Sequence, residues 1–160
     1  MGQSPGYRTW RGCAAVAITA LLAGCGERSL PVTTVLNYDR CQGLEAGLTL
    51  VDYAAVAGIR GDRLLDAGDA GNATAEDDEL LLLAVSRGRQ PTPGYGFELE
   101  GARRRDGTAV VAVRWRTPES GAVLPEVVTH PCLVVGVEPE GLQRIVVRDQ
   151  TGDMIGALEL

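Results

Sequence analysis

Few side chains in this sequence can do covalent, acid–base or metal chemistry: one histidine, four cysteines and 21 carboxylates. His130 lies two residues before Cys132 in His130-Pro131-Cys132, the arrangement that comes nearest to an activated nucleophile. A thiol nucleophile needs a base that a third group orients. No second histidine and no obvious orienting residue accompanies this one, so His130 reads as a turn residue. One histidine and two remaining cysteines also make a poor zinc set. Asp66, Asp69, Glu76, Asp77, Asp78 and Glu79 crowd together but lack the alternating ligand spacing and turn glycine of an EF-hand loop. They are expected to form a solvated loop. No Gly-x-Ser-x-Gly elbow, Walker loop or dinucleotide fingerprint occurs. The expectation is a binding protein with no catalytic residues, no metal site and no cofactor.

Cys25 is the exception, because its surroundings specify a covalent fate. Arg8 and Arg11 precede a short apolar run, Cys13 to Ala23, which is the layout of a helical signal peptide and too short for a membrane-spanning helix. Leu22-Ala23-Gly24-Cys25 closes that run and resembles the lipobox of bacterial lipoproteins. The resemblance implies cleavage after Gly24 and acylation of Cys25, with two or more chains giving stable membrane anchoring. An ordinary secretory signal with an incidental cysteine is the alternative. Gly26 stands where a retention aspartate would hold such a protein at the inner membrane, so the expected location is the envelope, anchored in the outer membrane and facing the periplasm. Residues 25–32 are expected to form a tether of roughly 20 Å. Cys13 leaves with the signal and Cys25 is acylated, so Cys41 and Cys132 remain. In an oxidising compartment that pair favours a disulfide, two separate buried thiols being the alternative.

Residues 33–160 are long enough for one domain with its own core. The formal charge is −6, and losing the two signal arginines makes the mature part more acidic still. Such a chain is a poor candidate for nucleic acid, whose phosphates require clustered cations.

The pattern of this domain is mainly β. Strands are expected at 33–38, 48–51, 80–85, 95–99, 108–116, 123–129, 132–137, 143–148 and 154–158, with Asp106-Gly107 as a hairpin turn. Asp52 is placed to cap a short N-terminal helix over 53–59. Strands at intervals of about ten residues with turn chemistry between them indicate an antiparallel β-sandwich or a partly open barrel. The most informative loop is Gln90-Pro91-Thr92-Pro93-Gly94-Tyr95. Two prolines stiffen it, Gly94 permits a positive φ, and Tyr95 is an aromatic of the type enriched at binding hot spots. The alternative is a simple turn with Tyr95 packed in the core.

Over 80–153 the chain resembles the C-terminal domain of the PrcB family. Arg89 to Phe97 (RQPTPGYGF) is similar to the family's polar-Pro-Thr-Gly-Gly-Tyr turn and strand, with Pro93 where glycine is usual. Thr117-Pro118-Glu119-Ser120-Gly121 resembles its Ser-Pro-x-x-Gly turn, Thr129-His130-Pro131-Cys132 its strand opening, and Asp149-Gln150-Thr151-Gly152 a common closing turn. The family is named for a lipoprotein subunit of a surface protease complex. The resemblance therefore implies an accessory subunit that binds a protein partner, a protease in the family's case. The 90–96 loop is also similar to the loop by which chagasin-type inhibitors enter cysteine-protease clefts, which makes a peptidase inhibitor the second expectation.

Overall fold

The computed structural model describes residues 26–60 and 80–160. The signal segment, Cys25 and the acidic stretch 66–79 lie outside the described residues.

Among the described residues nine strands and one helix follow in order: β1 Arg28–Leu30, β2 Val32–Tyr38, β3 Gly47–Val51, α1 Tyr53–Arg60, β4 Leu81–Ser86, β5 Gly96–Arg105, β6 Thr108–Arg116, β7 Cys132–Val137, β8 Arg144–Arg148 and β9 Met154–Glu159. They form two sheets, β1-β5-β6-β8-β9 and β2-β7-β4-β3. The fold is mainly β, as expected, and is a sandwich rather than a closed barrel.

The burial of the central strands explains their composition. β4 (LLLAVS) and β7 (CLVVGV) are apolar without alternation because the second sheet is covered on both faces. Leu83, Val85, Leu133, Val135 and Val137 point into the main core, where Ala109, Val111, Val113, Ile145 and Val147 of the first sheet meet them. On the opposite face Leu82, Ala84, Cys132 and Val134 pack with Cys41 and with Val56 of α1. Asp52 caps that helix, its Oδ1 accepting the Ala55 N–H at 2.6 Å. β6 has one face in solvent and therefore alternates, with Ala109, Val111, Val113 and Trp115 inward and Arg114 and Arg116 outward.

Several features depart from the sequence reading. The expected strand over 123–129 does not form. Only Thr129 makes a bridge, and Val123, Val127 and Val128 are 99%, 51% and 40% exposed. Pro125 lacks the N–H a ladder needs at the middle of that stretch. β5 runs on to Arg105 because a bulge between Leu99 and Gly101 resets its phase, moving the inward set from Phe97 and Leu99 to Ala102. Arg28–Leu30, assigned to the tether, is a strand paired with Arg104–Ala102, and the chain then switches sheets at Pro31. Finally, β6 and β8 pair in parallel. The chain crosses to the other sheet as β7 between them, which supplies the crossover that a parallel pair requires. The expected turn Asp106-Gly107 does join β5 to β6, with φ of 48° and 75°, both positive as a type I′ hairpin demands.

Candidate functional site

One end of the sandwich gathers segments far apart in sequence: the 87–95 loop between β4 and β5, the 117–131 connection after β6, residues 39–46 after β2, and the 149–153 turn before β9. The 90–95 loop is built as a fixed structure. Gln90 and Thr129 exchange two backbone hydrogen bonds, at 2.8 and 3.0 Å. Thr129 Oγ1 donates to the Thr92 carbonyl at 3.1 Å. Gly94 has φ +94°, and a Cβ there would stand 3.2 Å from Pro118 Cγ, so glycine serves both the backbone angle and the close approach.

Tyr95 does not project freely. Its half-buried ring stacks on Trp115, with centroids 5.8 Å apart and planes 26° from parallel. Phe97 approaches the same indole at 4.8 Å, and the Arg87 guanidinium lies over it at 4.5 Å. Trp115 is the hub of this end. Gln150 holds its backbone from the other side, accepting its N–H at 2.9 Å and donating to its carbonyl at 3.3 Å. Asp149 fixes the turn that carries Gln150. Its Oδ1 accepts from Thr151 Oγ1 at 2.6 Å and from the Thr151 and Asp153 N–H groups at 2.9 and 3.1 Å. These hydrogen bonds, the Thr151 hydroxyl first, hold the Asp149 carboxyl below its ordinary range.

Cys41 and Cys132 form a disulfide, with Cα atoms 5.9 Å apart and both residues fully buried. The bridge closes the same end from below. The Cys41 N–H donates to the His130 carbonyl and the His130 N–H to the Asp39 carbonyl, each at 2.8 Å. The backbone of His130 thus ties the 39–41 segment to β7, and the sulfur of Cys132 is engaged in the bridge. Among the described residues no group of three or more His, Cys, Asp or Glu is arranged to hold a metal ion.

Pro91 and Gly94 are exposed, and Thr92 and Pro93 are half-buried. Val127 and Val128 precede the Thr129 that pins this loop, and Val123 lies farther back in the same connection; the strand expected over 123–129 would have held all three, and Pro125 is the signal against it. The rung that would extend the Gln90–Thr129 bridge is not made. Thr92 gives its carbonyl to Thr129 Oγ1, and the Val127 N–H donates to the Pro125 carbonyl at 2.9 Å. A groove lined by Asn37, Tyr38, Asp39, Tyr95, Gly96 and Arg116 runs along the other side of the loop. Asn37 Nδ2 closes its floor by donating to the Phe97 carbonyl at 2.9 Å. The arrangement suits binding of a surface: a rigid aromatic-backed loop flanked by exposed aliphatic residues and a polar groove.

Residues 81–138 match the family model for the PrcB C-terminal region. Over that segment the chain is similar to the PrcB C-terminal domain. No curated protein and no solved structure matches the chain. The PrcB segment comprises β4 to β7, that is, both central strands of one sheet and the main hairpin of the other. It contains Gln90, Gly94, Trp115, Pro118 and Thr129, so its turns are the ones that meet at the loop end. The closing turn 149–152 lies beyond the matched residues, although Gln150 braces Trp115 within them.

Proposed function

We propose that this chain is a non-enzymatic accessory subunit, anchored through acylated Cys25 in the outer membrane and facing the periplasm, which docks an envelope protein. The family's name points to a protease as that partner. The observation that carries the reading is the convergence of three separate PrcB turns on one rigid end beside exposed valines. A loop already pinned by Thr129, Gly94 and Trp115 loses little freedom on docking, and exposed aliphatic residues on an otherwise polar surface mark contact sites. Insertion of the loop into a peptidase cleft is the lesser reading. Tyr95 is committed to Trp115, which leaves Pro91 to Gly94 as the presented part.

Photo-crosslinkers at Thr92 and Val127 in producing cells test this. The expected result is capture of one and the same envelope protein from both positions, with any peptidase activity of that protein retained in the complex. Loss of peptidase activity on binding would favour the inhibitor instead. No capture from either position at normal expression, or turnover by the soluble domain that disappears in His130→Ala, would overturn the proposal.

A further inference from the structure

The path of the chain into the domain fixes the end of the sandwich at which its N-terminal strand enters. Arg28 pairs with Arg104 and Leu30 with Ala102. β1 therefore enters beside the C-terminal end of β5, next to the Asp106–Gly107 turn. The Pro139–Gly141 turn lies at the same end, because the Gln143 and Arg144 N–H groups donate to the Gly107 carbonyl at 2.8 and 3.3 Å and Arg104 donates to the Glu140 carbonyl at 2.8 Å. Gly26, Arg28, Arg104, Asp106, Gly107 and Glu138 line one concavity there. The 90–95 loop and the 117–131 connection leave from the other end, where Gly96 pairs with Arg116.

We infer that the domain stands on a phospholipid surface by the end that holds the Asp106–Gly107 and Pro139–Gly141 turns, with the 90–95 and 117–129 segments at the far end. This rests on the anchoring reading of Cys25. Only Gly26 and Glu27 separate Cys25 from β1, so the lipid-bearing residue is held within about 10 Å of Arg28. β5 spans the sandwich with 10 residues, which at about 3.3 Å each puts the docking loops roughly 30 Å farther out. Three ion pairs lie at the near end, Arg103 with Glu27 at 3.3 Å, Arg105 with Asp106 at 3.4 Å and Arg144 with Glu159 at 3.2 Å, while Arg28, Glu138 and Glu140 stand exposed outside them. In this orientation the partner is met well clear of the headgroups.

The test uses the full lipoprotein reconstituted in phosphatidylethanolamine–phosphatidylglycerol vesicles that carry a headgroup-tethered diazirine, with adducts mapped by peptide mass spectrometry and intact mass measured on the same sample. An acylated protein with adducts on residues 26–31, 106–108 and 138–143 and none on 90–95 or 117–129 is the expected result. An acylated protein with adducts on 117–129, or along Arg114 and Arg116 as if it lay on its first sheet, overturns the orientation and leaves the anchor intact. A mature protein of unmodified mass overturns both.

Discussion

Replacing Cys41 and Cys132 together by alanine should remove a large share of the domain's stability, and the amount follows from topology. The bridged residues are 91 apart in sequence. A loop of that length costs the unfolded chain entropy equivalent to about 4–5 kcal/mol at 25 °C. Small domains hold only about 5–15 kcal/mol in total, and each kcal/mol moves the midpoint by roughly 3–4 °C at this size, so the melting temperature should fall by roughly 15 °C. Chemical denaturation separates the mechanism from simple packing loss. If the bridge acts through the unfolded chain, its removal exposes more surface on unfolding and the m-value rises. Cys41→Ala, Cys132→Ala and the double variant should then lose nearly the same amount, because any one of them opens the loop. Single losses that add up to the double, or a double loss under about 1 kcal/mol with an unchanged m-value, would refute the entropic account and leave two packed sulfurs.

Gly94→Ala combines a positive φ with a Cβ placed 3.2 Å from Pro118, and should cost about 1–2 kcal/mol in thermal or urea unfolding. An unchanged midpoint would mean that the loop can relax. Val127→Asp alters a residue already 51% exposed; its stability should stay within about 0.5 kcal/mol of the parent while crosslinking to the partner disappears. The Asp149 carboxyl is held below its ordinary value of 3.8. A depressed folded-state value stabilises the protein above the unfolded value and loses that contribution as pH falls through the folded one. The melting-temperature gap between the parent and Asp149→Ala should therefore be present at neutral pH and narrow below about pH 4. A gap that is constant with pH would contradict the assigned hydrogen bonds.

Strand burial explains which elements could be read from sequence. β6 and β7 matched expectation to the residue because each keeps one pattern throughout, alternating where one face is wet and continuous where both are covered. β5 was shortened in the reading because one extra residue at the Leu99/Gly101 bulge inverts the phase, and periodicity cannot see past such a reset. Arg28–Leu30 contains a single buried residue, Leu30, and becomes a strand only because β5 offers it an edge. The valines of 123–128 carry β propensity without a ladder partner, so propensity alone misplaced them. At the site, parity pointed to the Cys41–Cys132 bridge and turn chemistry to the 90–95 loop. The role of Trp115 was hidden, because in TAVVAVRWR it is one more inward residue of β6. Only the fold brings Arg87, Tyr95, Phe97 and Gln150 to it.

The size of the docking end sets a condition on any partner. Burying a valine fully is worth about 1.5–3 kcal/mol, and Val127 and Val128 are already half covered, so the three valines can supply only a few kcal/mol before the cost of association is met. A stable protein interface takes about 800 Å² from each side, far more than three aliphatic side chains present. The remaining area must come from structure next to them, and two parts are available: the presented backbone and side chains of Pro91 to Gly94, and the groove that runs from Tyr38 and Asp39 to Arg116. The first is pinned by Thr129 and Pro118, the second is floored by the Asn37 hydrogen bond, and both are backed by the Trp115 cluster. A partner that engages this end must therefore reach across both sheets, from β2 to the 117–129 connection. On the proposed docking, the disulfide and the Trp115 cluster contribute indirectly, by holding the two halves of one surface in register.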